Sequence, residues 1–311
     1  MGKKGPRRGS LAYWHRKRAP SMSPRIRAWP TDGKGLLGFA GYKAGMAHVL
    51  MVEDRENPLK GQQVTRPVTI LETPPLFVYA AVGYKNTPYG LKAFAQVPVL
   101  VAPKELSRFI TPAKKAASSL EKLKEADTIR LLVATQPWKT NVKRTPEVLE
   151  MGLGGNKEEA FLFAQSWLGK EISINDVFEQ GQYVDAIAVT TGKGWQGVVR
   201  RFGVALNPHK ATKSRRHGGT LGGERQAKVM FSIPRPGQMG FHRRTDRNKR
   251  LLIIGSDAKT LKADFRHYGP VQSSFLVIDG SLPGPVKRMV RLRRPLISQK
   301  HQKPDVLELF S

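Results

Sequence analysis

Gly192, Gly194 and Gly197 form a G-x-G-x-x-G motif directly after a predicted strand at residues 183–191. In that position the motif can bind a dinucleotide, because glycine allows a tight turn and lets a pyrophosphate approach the backbone. The rest of the fingerprint is missing. The sequence predicts no helix with an apolar stripe after the motif, and the next acid is Glu224, within a basic tract. A dinucleotide cofactor is therefore not expected.

The same three glycines have another use that fits their neighbours better. Backbone without a Cβ lets a phosphodiester approach closely. Lys193, Arg200 and Arg201 supply positive charge beside it, and Trp195 lies among them. We expect this stretch to bind the sugar-phosphate backbone of a nucleic acid.

The seven histidines do not have the spacing of a metal site. His209, His217 and His242 lie in cationic surroundings, which disfavour a divalent metal, so we expect them to contact phosphates or bases. The chain has no cysteine and no Ser-His-Asp pattern, and acids are scarce where the charge is densest. The sequence thus predicts a binding protein rather than an enzyme, with no metal site and no cofactor apart from magnesium associated with RNA.

The positive charge is concentrated in two segments of the chain. There are 53 Lys and Arg against 24 Asp and Glu, a formal net charge of +29. Residues 1–30 hold nine of these cations and no acid, and residues 192–250 hold 15 against two acids, whereas residues 31–191 hold 19 against 17. A tract such as 192–250 cannot offset its ordering entropy by apolar burial alone. This segregation predicts a nearly neutral folded body with cationic extensions that enter a polyanion, and nucleic acid is the leading candidate.

The candidate nucleic-acid contacts are the cations, three histidines and one tryptophan of these segments. In the N-terminal extension they are Lys3, Lys4, Arg7, Arg8, Arg16, Lys17, Arg18, Arg25 and Arg27. In the central tract they are Lys193, Trp195, Arg200, Arg201, His209, Lys210, Lys213, Arg215, Arg216, His217, Arg225, Lys228, Arg235, His242, Arg243, Arg244, Arg247, Lys249 and Arg250. Gly222, Gly223 and Glu224 are expected at the tip of that tract.

The sequence gives no sign of a membrane segment or a small-molecule substrate. The longest apolar run, residues 76–82, is far shorter than the roughly 20 residues of a transmembrane helix. The basic N-terminus has no apolar h-region, so we expect it to be retained. Docking of the basic arm on anionic lipid is a weak alternative, because no amphipathic apolar face accompanies the charge. We expect a cytoplasmic protein.

The apolar and β-branched runs predict mostly strands. Nine of them, separated by Gly and Pro, cover residues 46–52, 64–73, 76–84, 91–99, 129–135, 183–191, 251–255, 274–279 and 286–292. Two helices are predicted, one at residues 112–126 and one opened by a capping box of Asn156 and Glu159. The fold class is therefore mainly β, of the α+β kind, with a barrel or a sandwich as its architecture.

Residues 207–240 have the composition of an extended projection, with GGTLGG at 218–223 and PRPG at 234–237. As a hairpin with legs of about 17 residues, the segment could reach roughly 55 Å at about 3.3 Å per residue. A narrow cationic projection suits the interior of a large folded RNA, which offers phosphates and 2′-hydroxyls rather than a regular groove. The chain is less suited to bind duplex DNA, because the sequence has no helix-turn-helix or zinc finger.

Several strings of residues resemble one protein family. They are GKGLLGFAGYKAGM at 33–46, VTILETPP at 68–75, QYVDAIAVTTGKGWQGVVRR at 182–201 and PGQMGFHRRTDRNKRLLIIG at 236–255. Together they resemble the universal large-subunit ribosomal protein L three family. The basic head at 6–30 and the string GSLPGPVKRMVRLRR at 280–294 look like its archaeal and eukaryotic form. The resemblance covers nearly the whole chain and is weakest at residues 102–171.

The resemblance implies a translation-protein-type β-barrel with a partly helical insertion and long basic extensions. The division that it implies is an N-terminal extension at 1–32, barrel parts at 33–101 and 181–206, an insertion at 102–180, a finger at 207–240, and barrel completion with a tail at 241–311. The implied function is that of a structural constituent of the large ribosomal subunit. Such a protein binds 23S-type rRNA near its 3′ end, contacts neighbouring large-subunit proteins, promotes early assembly and extends its finger toward the peptidyl-transferase centre and the aminoacyl-tRNA corridor.

One residue departs from the pattern of this family. Its archaeal and eukaryotic members usually have Trp shortly after a Gly at the finger tip, and alignment of Ala227 and Lys228 puts Glu224 there. An acid near RNA phosphate is unfavourable unless it pairs, here with Arg225 or Arg216, or faces water or magnesium.

The alternatives to a ribosomal protein are an RNA-modifying enzyme and a chromatin-type DNA-binding protein.

Overall fold

Strands separated by Gly- and Pro-containing turns are the main regular structure of the computed structural model. It describes residues 9–31, 33–111, 120–140, 142–210, 214–223, 227–257, 261, 264–297 and 301–310. The chain forms two units, and each is described by itself. The larger unit comprises Met22–Ala188 and Arg244–Ser311, and the smaller unit comprises Met1–Ser21 and Val189–Arg243.

All nine predicted strands overlap strands of the structure. The strands are β1 Gly35–Leu36, β2 Gly38–Val52, β3 Gln63–Glu72, β4 Leu76–Thr87, β5 Gly90–Pro98, β6 Thr128–Ala134, β7 Val148–Gly154, β8 Glu171–Ile172, β9 Tyr183–Val189, β10 Trp195–Gln196, β11 Gly237–Gln238, β12 Arg243–Gly255, β13 Asp264–Phe265, β14 Gly269–Pro270, β15 Phe275–Asp279, β16 Met289–Arg293 and β17 Val306–Phe310. The mainly β fold class is confirmed.

The helices of the described residues are few and short. Helix α1 is Lys157–Trp167 and helix α2 is Val198–Phe202, and 3-10 turns cover Leu11–Tyr13, Lys104–Arg108, Leu120–Glu125, Pro137–Thr140 and Ile174–Asp176. The capping box predicted at Asn156 and Glu159 opens α1. Of the helix predicted at 112–126, the described residues 120–126 contain a 3-10 helix at Leu120–Glu125, and residues 112–119 lie outside the described part of the chain.

One sheet of the larger unit is a closed cycle of strand pairings. Its order is β16-β9-β12-β15-β3-β2, and β16 pairs with β2 as well as with β9. Such closure leaves no free edge among these six strands. Strand β17 pairs with the far part of β2, outside the cycle.

A second sheet has the order β1-β7-β6-β4-β5, with β8 paired to β4. The sequence division assigned residues 33–101 to one barrel part. In the structure β4 pairs with β5 and with β6 of the insertion, so β4 and β5 lie in this second sheet. The main apolar core takes residues from both sheets, including Phe39, Leu131 and Val290, together with Ala164 of α1. The strands of both sheets have similar apolar sequences, so sequence periodicity could not show which strands pair with each other.

The segment before β1 belongs in part to the larger unit. Ile26 is buried, and Trp29 packs against the main core. Arg291 of β16 donates from Nη1 to the Pro24 carbonyl at 2.9 Å, and Arg293 donates from Nη1 to the Ala28 carbonyl at 2.7 Å. Burial lowers the pKa of Arg291 to about 10. The expected extension at 1–32 is thus anchored over its last residues, because its carbonyls satisfy buried guanidinium groups.

A buried arginine of β12 joins two loops of the larger unit. Arg250, with 2% of its side chain exposed, donates from Nη1 to Oδ1 of Asp54 at 2.7 Å and from Nη2 to the Gln302 carbonyl at 2.8 Å. The hydrogen bond from Arg250 is the main cause that lowers the pKa of Asp54, and burial opposes it. Since the folded state depresses this pKa, the pair stabilises the fold above the usual Asp value of about 3.9 and loses that contribution as pH falls below it.

We expect Asp54→Asn to lower the free energy of unfolding by roughly 1–3 kcal/mol at pH 7, since a charge-assisted hydrogen bond to a buried guanidinium is weakened. The difference from wild type should shrink as pH falls toward 3, because Asp54 of the unfolded wild-type chain is then protonated, which favours unfolding of the wild type. Urea unfolding at pH 7, 5 and 3 measures this. The control is Glu125→Gln, in the exposed pair with Lys85. A difference between wild type and Asp54→Asn that is the same at all three pH values would contradict the assignment.

Candidate nucleic-acid interface

The smaller unit carries most of the excess positive charge. Met1–Ser21 and Val189–Arg243 together hold 18 Lys and Arg and one acid, Glu224, whereas the larger unit holds 35 Lys and Arg against 23 acids. The division of the chain into units therefore coincides with a division of charge. A unit with so few acids cannot neutralise its cations internally, and a polyanion is the complementary partner.

The two predicted basic segments fold against each other within the smaller unit. The Ala19 amide donates to the Phe241 carbonyl at 2.7 Å, and Nδ1 of His242 lies 2.8 Å from the Lys17 carbonyl oxygen. Arg16 donates from Nη1 to the Arg201 carbonyl at 3.4 Å. The sequence treated the N-terminal extension and the central tract as separate; local pattern cannot reveal contacts between residues more than 180 positions apart.

An aromatic cluster anchors these contacts. The Trp14 ring lies 5.3 Å from the Phe202 ring and 6.4 Å from the Phe231 ring, and its indole N–H donates to the Phe231 carbonyl. The Arg16 and Arg201 guanidinium carbons lie 4.7 and 5.0 Å from the Phe202 centroid. Burial lowers the pKa of Arg201, and the nearby Arg16 lowers it further. The attraction of each cation for the ring offsets part of the repulsion between the two arginines.

The glycine motif forms an open shoulder beside a small sheet. Strands β10 and β11 pair Trp195 with Gln238, and the Lys193 amide donates to the Met239 carbonyl at 2.9 Å. Gly194 has a φ of +65°, and a Cβ placed on Gly194 or Gly197 would meet no atom within 4 Å. The Trp195 side chain is 75% exposed. The shoulder thus combines accessible backbone, an exposed cation and an exposed aromatic ring, which are the groups that contact phosphates and unstacked bases.

The sequence predicted no clear helix after this motif, but the structure places the short helix α2 there, ending in a left-handed Gly203 with φ of +67°. Helix α2 directs the Arg201 side chain toward the opposite leg of the central tract. Arg201 donates from Nε to the Gln238 carbonyl at 3.1 Å and from Nη1 to the Arg235 carbonyl at 2.9 Å. Arg200, by contrast, is exposed. Arg201 therefore has a structural role, whereas its neighbour Arg200 is accessible.

The finger at 207–240 does not form a regular ladder in its described residues. The Asn207 amide donates to the Arg215 carbonyl at 3.0 Å, and its side chain donates to the Ser214 carbonyl at 3.2 Å. The outgoing leg is thus folded into a local loop. Gly222 and Gly223 are exposed, whereas Glu224 lies outside the described residues.

The predicted contact residues fall into four groups. The exposed ones are Lys17, Arg18, Arg25, Arg27, Lys193, Trp195, Arg200, His209, Lys210, Arg215, Arg216, His217, Lys228, Arg235, Arg243 and Arg247. Those of intermediate exposure are Arg16, Arg201, Arg244 and Lys249. His242 and Arg250 are buried and have protein partners, and their predicted RNA contacts stay predictions. Lys3, Lys4, Arg7, Arg8, Lys213, Glu224 and Arg225 lie outside the described residues.

The sequence pattern missed the aromatic and aliphatic residues of this unit. Trp14 and Phe231 position the two basic segments, yet neither has a charge. The signal that could have found them is the apolar triplet Val229, Met230 and Phe231 inside a strongly basic tract. Such a triplet needs either a protein contact or an external partner.

In the ranges that the structure describes, no three His, Asp or Glu side chains are grouped so that they could hold a metal ion. None of the helices in these ranges is long and apolar enough to span a membrane.

A mainly β protein with one strongly cationic unit is typical of proteins that bind a polyanion such as RNA. Comparison with known proteins gives the family. The family model described as Ribosomal protein L3 matches residues 1–309, and the chain belongs to this family. The relatives named "Large ribosomal subunit protein uL3" include that of Pyrobaculum arsenaticum, 49% identical over 309 residues that cover 93% of this chain and 91% of the relative. That of Archaeoglobus fulgidus is 47% identical over 301 residues, with the same coverage.

Proposed function

We propose that this protein is a structural constituent of the large ribosomal subunit that binds 23S-type rRNA. The observation that carries the proposal is the separate unit of 18 Lys and Arg with one acid, in a chain that belongs to the Ribosomal protein L3 family. Its role is binding and positioning, without catalysis. Its site of action is the ribosome in the cytoplasm, beside neighbouring large-subunit proteins.

The proposed interface consists of the exposed cations and Trp195 of the smaller unit, with Arg25, Arg27 and Arg247 of the larger unit. The finger is proposed to extend toward the peptidyl-transferase centre, with Gly222, Gly223 and Glu224 at its tip. Magnesium bound to the RNA would lie near Glu224. Because the smaller unit repels itself, we propose that its final ordering accompanies early assembly of the RNA.

The salt dependence of binding tests the proposal. If about ten Lys and Arg contact phosphate, the logarithm of the association constant for the large-subunit rRNA should fall with the logarithm of salt concentration at a slope near −7 to −9. Filter binding of the full chain between 50 and 500 mM salt measures this slope. Duplex DNA and small-subunit rRNA serve as competitors. A slope near zero, or equal affinity for duplex DNA, would overturn the proposal.

Deletion of residues 210–238 is expected to leave the larger unit folded. None of the buried residues in the main and second apolar clusters comes from residues 189–243, so the deletion removes none of these contacts. Urea unfolding followed by circular dichroism should still show one cooperative transition, with a midpoint close to that of the full chain. RNA affinity should fall, because the deletion removes seven Lys and Arg. Loss of the cooperative transition would show that the finger is part of the core.

A further inference from the structure

An apolar triplet is exposed on the most basic part of the molecule. The side chains of Val229, Met230 and Phe231 are 47%, 45% and 62% exposed. Three consecutive apolar side chains in contact with water are unfavourable, and a contiguous group of this kind marks a binding surface more often than an isolated exposed residue does. The triplet lies on the return leg of the finger, within the smaller unit.

The triplet forms one side of a cleft of about 480 Å³. The remaining lining comes from the aromatic residues Trp14 and Phe202, from His15 and Ile233, and from four cations. The cations are Arg16, Lys17, Arg201 and Arg235. Among the residues that the structure describes, no acid lines the cleft. This volume lies in the range of small-ligand sites in proteins.

Phe231 is an accessible ring of the cleft. It contacts the Trp14 ring at an interplanar angle of 74° and the His15 ring at 35°, with centroids 6.4 and 6.0 Å apart, yet most of its side chain stays exposed. The Phe202 ring, by contrast, is buried beneath two guanidinium groups. A flat apolar ligand therefore finds a stacking partner in Phe231, with cations at the rim.

We propose that this cleft receives an unpaired nucleobase of the large-subunit RNA. The base stacks on Phe231 and covers Met230 and Val229, while its flanking phosphates pair with Arg235 and Lys17. The inference rests on the proposed RNA-binding function and adds a defined subsite to it. Charge complementarity selects this occupant, since four cations without an acid repel a basic protein extension and attract a phosphodiester.

The test compares Phe231→Ala with wild type in binding to the large-subunit rRNA. Loss of one base–aromatic contact of about 1–3 kcal/mol should weaken binding roughly 5- to 150-fold. The salt slope should stay unchanged, because no cation is lost. The matched control is Phe109→Ala, since Phe109 is 58% exposed but belongs to the larger unit. Phe231→Trp should restore binding, which separates loss of stacking from misfolding.

Ultraviolet crosslinking of the wild-type complex, followed by mass spectrometry, should join one nucleotide to the peptide that contains Met230 and Phe231. Wild-type affinity in Phe231→Ala, or a crosslink from this peptide to another ribosomal protein in assembled subunits, would overturn the cleft assignment while leaving the steep salt slope intact. A wild-type chain without salt-dependent binding would overturn the proposed function as well. The two failures are therefore distinguishable.

Discussion

Replacement of Lys193, Arg200, Arg215 and Arg216 by glutamine is expected to weaken binding to the large-subunit rRNA by roughly 10²- to 10³-fold at about 0.15 M salt. All four side chains are exposed in the smaller unit. Each phosphate contact contributes about 0.7–0.9 to the salt slope, so four lost contacts should reduce its magnitude by about 3. Filter binding at several salt concentrations measures both quantities.

The control removes the same amount of charge from the larger unit. Lys60, Lys92, Lys104 and Arg108 are all exposed there, and their replacement by glutamine should change affinity much less. If both quadruple variants weakened binding equally, the net charge of the chain would drive association, and the smaller unit would have no special role. Equal unfolding midpoints for the two variants would show that the difference arises in the interface.

Asp185→Ala is expected to lower the free energy of unfolding by about 3–5 kcal/mol. Asp185 and Arg293 form an ion pair whose side chains are 1% and 6% exposed, and Asp185 also accepts the Asn248 amide at 3.1 Å. Removal of the carboxylate leaves the Arg293 guanidinium buried without its counter-charge. Urea unfolding at pH 7 measures the loss.

Two further variants show whether the buried charge is the cause. Glu125→Ala, in the exposed pair with Lys85, should change the unfolding free energy by less than about 1 kcal/mol. Asp185→Leu combined with Arg293→Met should recover much of the loss, because no charge remains in the interior. If the double variant were as unstable as the sum of the single ones, the loss would come from packing instead.

The strands of this fold could be predicted because their residues are β-branched and aromatic and are bounded by Gly and Pro. Their pairing could not be predicted in the same way. The contact of β16 with β2 joins Arg293 to Gly38 across more than 250 residues, and no local periodicity encodes it. Strands β1, β8, β10, β11, β13 and β14 were missed because runs of two residues carry no pattern, and the longer strands β7 and β17 were missed as well. Periodicity left a barrel and a sandwich open, and only the family resemblance implied a particular barrel, which stays a prediction.

For the interface, charge predicted the segments but not the role of each side chain. Arg200 and Arg201 are identical in the sequence, yet one is exposed and the other donates to two carbonyls. His242 and Arg250 look like phosphate ligands in a basic tract, but the ends of that tract enter the fold. The apolar triplet Val229, Met230 and Phe231 carries no charge, so the charge pattern did not mark it as part of a site.

The anchoring of Pro24 and Ala28 by Arg291 and Arg293 has a consequence for protein synthesis. The ribosome synthesises Pro24 and Ala28 among the first 30 residues of the chain. The donors Arg291 and Arg293 follow almost 270 residues later, in β16, which also closes the cycle by pairing with β2. We therefore expect these anchoring hydrogen bonds to form last, after the whole basic segment 1–30 with its nine Lys and Arg has been synthesised.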